Sequence, residues 1–447
     1  MDLLMEVVIE QIAIYGSVAL LCGLVVFFYM RSLNKKSAIV VKKVEVAKAE
    51  GTFEPVSLHP FIDLNTCIGS AACIAECPEK DILGIIDGKA TVIHASNCVG
   101  HGACFHACPV EAISLRIGTE KRGVDLPHVS QTFESNIKGV FIAGELGGMG
   151  LIKNSVEQGQ QAMENIAALK REKRSGVLDV VIIGAGPAGI SATLEAKKRG
   201  LSSVTLEQDS LGGTVFTFPR SKIVMTSPMD LPLHGKAKLY DTSKGELLAL
   251  WNKVIAEQGI TITERTKVEA IVPQKDGTFK VSTSTGSEFL SYAVLLAIGR
   301  RGTPRKLGVP GEELPNVAYR LLEPENISGK RAIVVGGGDS AVESAMLLAE
   351  QNEVVLSYRK DQFARIKPKN KAAIDAAIAK GELKVIFNSD LVSISEQAVL
   401  MKVGEEVKEL PNDLVYIFAG GELPTGFLHE IGIGITKRFG HIVKKHK

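Results

Sequence analysis

The chain has 447 residues, a formal net charge of +2, 44 glycines and one tryptophan. That length allows two to four domains with a well-buried core, and the balanced charge carries no electrostatic footprint for a nucleic-acid partner. Of seven cysteines, six fall between Cys67 and Cys108, which excludes a disulfide-stapled framework and points to metal in a reducing compartment.

The first element is apolar. Gln11 to Met30, QIAIYGSVALLCGLVVFFYM, is a run of 20 residues without a charge. At about 1.5 Å per helical residue it spans a bilayer core of about 30 Å. A cleaved signal peptide would begin basic and end in small residues, whereas Asp2, Glu6 and Glu10 precede this run. Arg31, Lys35, Lys36, Lys42 and Lys43 follow it, which predicts a single-pass anchor with the bulk of the chain cytoplasmic. Residues 1–31 are read as the anchor, in the cell inner membrane, and 32–58 as a stalk of mixed Lys, Glu, Ala and Val. Cys22, inside the span, is read as a packing or lipid-facing residue.

Two segments then repeat one another: CIGSAACIAECP from Cys67 and CVGHGACFHACP from Cys98, both C-x5-C-x3-C-P. Over residues 59–116 they resemble the bacterial two-cluster ferredoxins, whose run is C-x2-C-x2-C-x3-C-P with the last cysteine serving the other cluster. The resemblance implies a small α+β domain in which Cys67, Cys73 and Cys108 hold one iron–sulfur cluster, and Cys98, Cys104 and Cys77 the other. The second cysteine of each set is replaced, by Ser70 and by His101. Either these residues ligate a fourth iron, giving 4Fe-4S clusters, or each site holds a 3Fe-4S cluster on three thiolates. For His101 a solvent-facing imidazole stands beside the ligand role. A domain that has lost its clusters is a further alternative. Zinc suits three cysteines and one histidine, but the paired C-x3-C-P endings argue against it. His94 and His106 read as surface or packing residues.

Next, NIKGVFIAGELGGMGLIKNSVEQG (136–159) runs an apolar strand into Gly144 and Glu145, then further glycines, then an amphipathic helix from Ile152. Downstream, LDVVIIGAGPAGISATLEAKKRGLSSVTLEQ gives a buried strand, a turn with Gly184, Gly186 and Gly189, a helix, and a second strand ending at Glu207. The glycines permit a tight turn and close approach of a pyrophosphate, and the acid takes a ribose diol. The unit recurs as RAIVVGGGDSAVESAMLLAEQNEVVLSYRK, with Gly336, Gly338 and Ala341 at the turn. At the strand end where the first unit carries Glu207, the second carries Arg359 and Lys360, with Arg365 beyond. Bases in place of the acid suit a 2′-phosphate, so FAD is assigned to the first fold and NADPH to the second.

Together with strand-to-glycine segments ending at Gly299 and near Gly420, these units resemble the thioredoxin-reductase-like branch of the two-dinucleotide-domain flavoproteins. LGGT (Leu211 to Thr214) stands where that branch has its flavin-side glycine pair, Gly212 and Gly213, followed by Thr214. The family's closing flavin segment is missing from the end and matches 117–175 instead, which implies a circular permutation. Gly144 and Glu145 then stand for the family's Gly-Asp beside the flavin. The expected α/β architecture is two Rossmann-like domains, the small α+β ferredoxin-like domain and one transmembrane helix. Its boundaries are 176–305 for FAD, 306–420 for NADPH and 421–447 returning to the FAD domain.

No cysteine follows Cys108, so the C-x-x-C pair of thioredoxin reductases is absent and no dithiol exchange of that type can run through this chain. Cysteine-less relatives include bacillithiol-disulfide-reductase-like proteins. His128, His234, His429, His441 and His446 show no arranged partners in sequence. The implied function is a membrane-anchored NAD(P)H-dependent flavoprotein oxidoreductase. It would pass electrons between NADPH, FAD and two iron–sulfur clusters to a carrier protein or quinone near the membrane, in either direction. A low-molecular-weight disulfide reductase with an external thiol substrate, and a redox-sensing membrane scaffold with little turnover, are the alternatives. A homodimer follows from the fold analogy alone.

Overall fold

The computed structural model describes residues 2–445 apart from 50, 56, 57, 80, 99, 101, 121, 122, 149, 171, 173, 219–222, 226, 227, 238, 240, 301–303, 364, 365, 422 and 423. The chain forms two compact units, residues 1–116 with 442–447, and residues 117–441.

The first unit begins with α1 (Asp2–Ala49), a single helix of 48 residues, about 72 Å long at 1.5 Å per residue. Among the described residues it is the one helix long and apolar enough to cross a membrane: within Ile14–Ala49 an 18-residue window has mean hydropathy 1.8 and is wholly exposed. The segment read as a stalk continues this helix, and its last turns have a partner. Strands β1 (His59–Ile62), β2 (Leu83–Ile86) and β3 (Lys89–Val92) follow, with the short helices α2 (Ala72–Ala75) and α3 (Ala103–Ala107) in the two cysteine segments. The β2–β3 hairpin lies along α1 through Lys43 Nζ to Asp81 Oδ1 (2.5 Å) and Ser37 Oγ to Asp87 Oδ1 (3.2 Å). At Gly84 a Cβ would stand 2.6 Å from Val40 Cγ1, so only glycine lets the helix approach this closely. Asp87 (φ 50°) and Gly88 (φ 74°) make the hairpin turn, the paired left-handed geometry that matches strand twist.

β1 pairs antiparallel with β4 (Ile113–Ile117), in the register Phe61 to Ser114. The chain's last strand, His441–Lys444, lies on the other side of β4. Residues 421–447, expected to return wholly to the flavin fold, therefore divide: Ile435–Arg438 pairs with β5 (Val124–Pro127) in the second unit, and the final strand completes the ferredoxin-like sheet. Its four residues, HIVK, cover an edge of β4 that would otherwise present unpaired backbone groups.

In the second unit β6 (Val140–Ile142), β7 (Leu178–Ile183) and β8 (Ser203–Leu206) join one sheet. Its order is Val268–Pro273, Phe279–Thr283, Glu288–Leu296, β7, β8, with β6 parallel to Val294–Leu296. Helices α4 (Ile152–Ala167) and α5 (Pro187–Lys198) cover one face, burying Phe141, Met163, Ile182 and Ala192 between them and the sheet. A second, all-parallel sheet has the order Val317–Ala318, Leu414–Ile417, Arg331–Val335, Glu353–Tyr358, Lys384–Phe387. The helices Asp339–Ala349 and Pro368–Lys380 belong to this fold. The continuous Val/Ile runs of both sheets suit parallel strands covered on each face.

Candidate functional site: a two-fold nucleotide cavity and two thiol sets

Each nucleotide turn is set by its glycines. Gly184 (φ +102°) has no room for a Cβ, which would lie 2.6 Å from the Ala297 carbonyl oxygen. At Gly189 a Cβ would fall 1.8 Å from the Gly184 carbonyl oxygen, so α5 can begin hard against the strand only with glycine there. Gly186 has open space where a side chain would be, and it caps the N-terminus of α5. Open space beside the first N–H groups of a helix is what a pyrophosphate requires.

Glu207, 5% exposed, closes this turn. Its carboxylate accepts from Ala185 N (2.6 Å) and Asp209 N (2.9 Å), and burial pushes its pKa up against those two bonds. Gly212 N donates to the Ala185 carbonyl (2.9 Å), and Gly213 stacks on the turn, a Cβ there falling 3.2 Å from Gly186 Cα. Gly144 (φ +85°) donates its N–H to Gln158 Oε1 at 2.8 Å. Helix α4 crosses α5 so tightly at Gly159 that a Cβ would be 2.1 Å from the Ala188 carbonyl oxygen. Gly159 was not among the residues singled out from sequence; a small residue two turns into an amphipathic helix was the available signal.

In the second fold Gly336 (φ +143°) is held by the Phe418 carbonyl oxygen, 2.6 Å from where a Cβ would stand. Gly338 is open and precedes the helix Asp339–Ala349. The Tyr358 ring lies over Gly337, where a Cβ would be 2.1 Å from it.

The two folds open on one cavity of about 1180 Å³, larger than the 300–1,000 Å³ of most ligand pockets. Gly186, Glu207, Gly213 and Thr214 line it from the first fold, Gly144, Glu145 and Gly299 from neighbouring loops, and Gly338 and Ala341 from the second. Gly184, a lining residue too, shapes the turn, while Gly189, Gly212 and Gly336 act from behind the surface. Arg359 and Lys360 are exposed at the end of Glu353–Tyr358 and do not line the cavity. Arg365 lies outside the described residues. Asp209 and Arg320, 111 residues apart, line the cavity and form an ion pair at 2.9 Å between the two folds. Nothing local in the sequence marked that pair.

The cysteine segments fold as twin loops. Gly69 and Ala71 have positive φ (68° and 59°), as do Gly100 and Gly102 (76° and 74°) at the matching offsets. Each loop runs into its short helix, α2 or α3. Cys67, Cys73 and Cys108 line one small cavity, which Ser70 also borders. Cys73 feels the charges of Cys108 and Cys67, and Cys104 those of Cys98, Cys77 and Cys73. Burial pushes the Cys98 thiol up to about 11 and the Cys104 thiol up to about 12. A buried thiol so disfavoured as an anion becomes a thiolate when a metal supplies the opposing charge. Ala90 N donates to Cys67 Sγ (3.4 Å) and Ala112 N to Cys108 Sγ (3.3 Å), bonds of the kind that would tune a reduction potential were these thiolates to bind iron. Among the described residues no three His, Cys, Asp or Glu groups converge on the spacing of a single ion. His101 lies outside the described residues.

Two glycine turns feeding one cavity, with an acid at the first strand end, define a flavin- and nicotinamide-dependent oxidoreductase. The chain belongs to the pyridine nucleotide-disulphide oxidoreductase family, whose model matches residues 181–444. Residues 59–109 match a 4Fe-4S dicluster domain. The chain is 29% identical to a ferredoxin–NADP reductase of Ignicoccus hospitalis over 55% of its length and 78% of that protein. It is 27% identical to the bacilliredoxin reductase Bdr of Bacillus subtilis, over 58% of its own length and 82% of the relative. The fold is shared with the bacillithiol disulfide reductase of Bacillus cereus (TM-score 0.51, 24% identity, 60% and 85% of the two chains).

Proposed function

We propose that this chain is a membrane-anchored, NADPH-using oxidoreductase. It exchanges electrons between NADPH, FAD and two iron–sulfur clusters, and an acceptor that is a carrier protein or quinone at the membrane. The observation that carries this reading is the distribution of thiols: Cys22 lies in the apolar helix and the other six form the two sets of the ferredoxin-like unit, leaving none in the nucleotide unit. Redox chemistry beyond the flavin must therefore pass through those sets or leave the protein.

FAD, when bound, supplies the exchange between a hydride and single electrons. The protein positions it: Gly186 and Gly213 leave space at the start of α5 for the pyrophosphate, Glu207 receives ribose hydroxyls, and Gly144 and Glu145 flank the ribityl chain. Gly338 and Ala341 admit the second nucleotide at the start of the helix Asp339–Ala349. Arg359 and Lys360, with Arg365, take its 2′-phosphate. Cys67, Cys73 and Cys108, bordered by Ser70, hold one cluster; Cys98, Cys104 and Cys77, with His101, hold the other. We read 117–175 as the family's closing flavin segment moved to the front by circular permutation. The pairing of β6 with the flavin sheet supports this, and termini that lie at a domain surface make it tolerable. Positive charge after the apolar helix supports a cytoplasmic placement of both units.

Electron paramagnetic resonance of anaerobically purified full-length protein, with and without excess NADPH, tests the reading. A reduced-cluster or altered three-iron signal appearing as the flavin bleaches supports it. Flavin bleaching with no iron and no cluster signal overturns it. The disulfide-reductase reading, favoured by the likeness to the bacilliredoxin reductase, then leads; it predicts NADPH oxidation that survives Cys104→Ser.

A further inference from the structure

The first unit carries a ruler. Three contacts set the β2–β3 hairpin against α1 in one direction: Ser37 meets Asp87, Val40 meets Gly84, and Lys43 meets Asp81. Moving up the helix from the apolar run thus means moving down the hairpin from its tip. The Asp87–Gly88 turn is the part of the hairpin nearest the apolar run, and Ser37 stands seven residues past Met30, about 10 Å along the axis. A bilayer's headgroup layer extends roughly 5–8 Å beyond each side of its hydrocarbon core, so the turn sits within about 2–5 Å of the layer's outer edge.

The loop carrying Cys67 is fastened to this same tip. Lys89 Nζ donates to the Cys67 carbonyl at 2.5 Å, and at Gly69 a Cβ would lie 2.0 Å from the Gly88 carbonyl oxygen. Cys67 N donates to the Asp63 carbonyl at 2.9 Å, and Asp63 also accepts from Thr66, so the loop is a closed turn and not a loose strap. Between its fastenings it presents Leu64, 57% exposed, and Ile68, 64% exposed, the most exposed large apolar side chain described outside α1. Arg31, Lys35 and Lys36 are exposed on the helix turns between the apolar run and the tip. The carboxylates at the tip are engaged, Asp63 by Asn65 and Thr66, and Asp87 by Ser37.

We propose that the Leu64–Gly69 loop and the Asp87–Gly88 turn seat on the bilayer surface, with Ile68 entering the headgroup boundary, so that the thiol set of Cys67, Cys73 and Cys108 faces lipid. The occupant of this surface is the anionic bilayer itself: apolar tips enter the boundary while the flanking bases meet the headgroups. The inference rests on the membrane anchoring proposed above and adds a direction to it. Of the two sets, the one beginning at Cys67 serves the membrane side.

Full-length Ile68→Trp protein in nanodiscs of mixed phosphatidylcholine and phosphatidylglycerol tests this, with the parent protein giving the baseline from buried Trp251. Lipids brominated near the headgroup end of the acyl chains should lower the added emission by about half, the depth of an interfacial side chain being roughly 5–10 Å. Aqueous iodide should leave that emission nearly unchanged. Emission quenched by iodide and indifferent to bromine overturns the seating while leaving the anchor intact. Protein that is extracted from vesicles by carbonate, and recovered without nanodiscs, overturns the anchor and the seating together. Should Ile68→Trp fail to fold, Leu64→Trp takes its place, and quenching by bromine or by iodide decides the seating in the same way.

Discussion

Replacing Gly159 by alanine should loosen the nucleotide unit and release flavin. The added methyl carbon would stand 2.1 Å from the Ala188 carbonyl oxygen, where ordinary contact begins at 3.4 Å, so α4 must back away by about 1.3 Å. Two bonds depend on α4 staying where it is. Ser191 Oγ donates to the Val156 carbonyl at 2.7 Å, and Gln158 Oε1 accepts from Gly144 N at 2.8 Å. Losing both costs about 1 kcal/mol each, and the strained packing costs roughly 1–3 kcal/mol. Alanine in a helix interior returns about 0.5–1 kcal/mol. The net is about 2–4.5 kcal/mol, or a melting temperature lower by roughly 3–7 °C for a unit of this size. Differential scanning calorimetry and the ratio of flavin to protein absorbance read both effects. Gly147→Ala is the control, since nothing lies within 4 Å of a Cβ there. A Gly159→Ala protein that melts as high as the parent with its flavin complete would refute the close packing of α4 on α5.

Arg359→Ser with Lys360→Ser should raise the KM for NADPH by about tenfold to a hundredfold, the worth of one or two charge-assisted bonds, and leave that for NADH within about twofold; steady-state kinetics with both cofactors decide it. Asp413 gives a pH signature. Two bonds from Arg331, Nη2 to Oδ1 and backbone N to Oδ2 (2.7 Å each), hold its carboxyl well below the ordinary range. A depressed carboxylate stabilises the fold fully above its unfolded pKa of about 3.9 and loses that contribution as pH falls toward the folded value. The gap in denaturation midpoint between parent and Asp413→Asn should therefore be widest at neutral pH and shrink below about pH 4; a gap that holds constant down to pH 3 would contradict it.

Features with short reach were legible in the sequence. Gly184, Gly186 and Gly189 must lie where they do because strand, turn and helix are consecutive, and Glu207 follows at the end of the next strand. The twin cysteine loops share their positive-φ positions because their spacing is the same, although Ala71 occupies one of them without a glycine's freedom. Longer-range features were hidden. Lys, Glu, Ala and Val in 32–49 describe a solvated helix as well as a stalk, and only the absent side chain of Gly84 reveals that another element lies against it. Asp209 and Arg320 meet across two folds, and single charges carry no periodicity to announce a partner. His441–Lys444 is too short and too basic to be assigned to a sheet whose other strands precede it by more than three hundred residues.

That last strand has a bearing on how the molecule is made. β4 has β1 on one edge and His441–Lys444 on the other, so the entire nucleotide unit is spelled out between two adjacent strands of the ferredoxin-like sheet. At roughly 5–20 residues per second of synthesis, β4 waits tens of seconds with one edge bare. Its neighbour is made only after both nucleotide folds. Maturation is thereby ordered by the gene's own layout: the ferredoxin-like sheet closes only after both nucleotide folds have been synthesised, so a chain truncated before His441 leaves that sheet with an open edge.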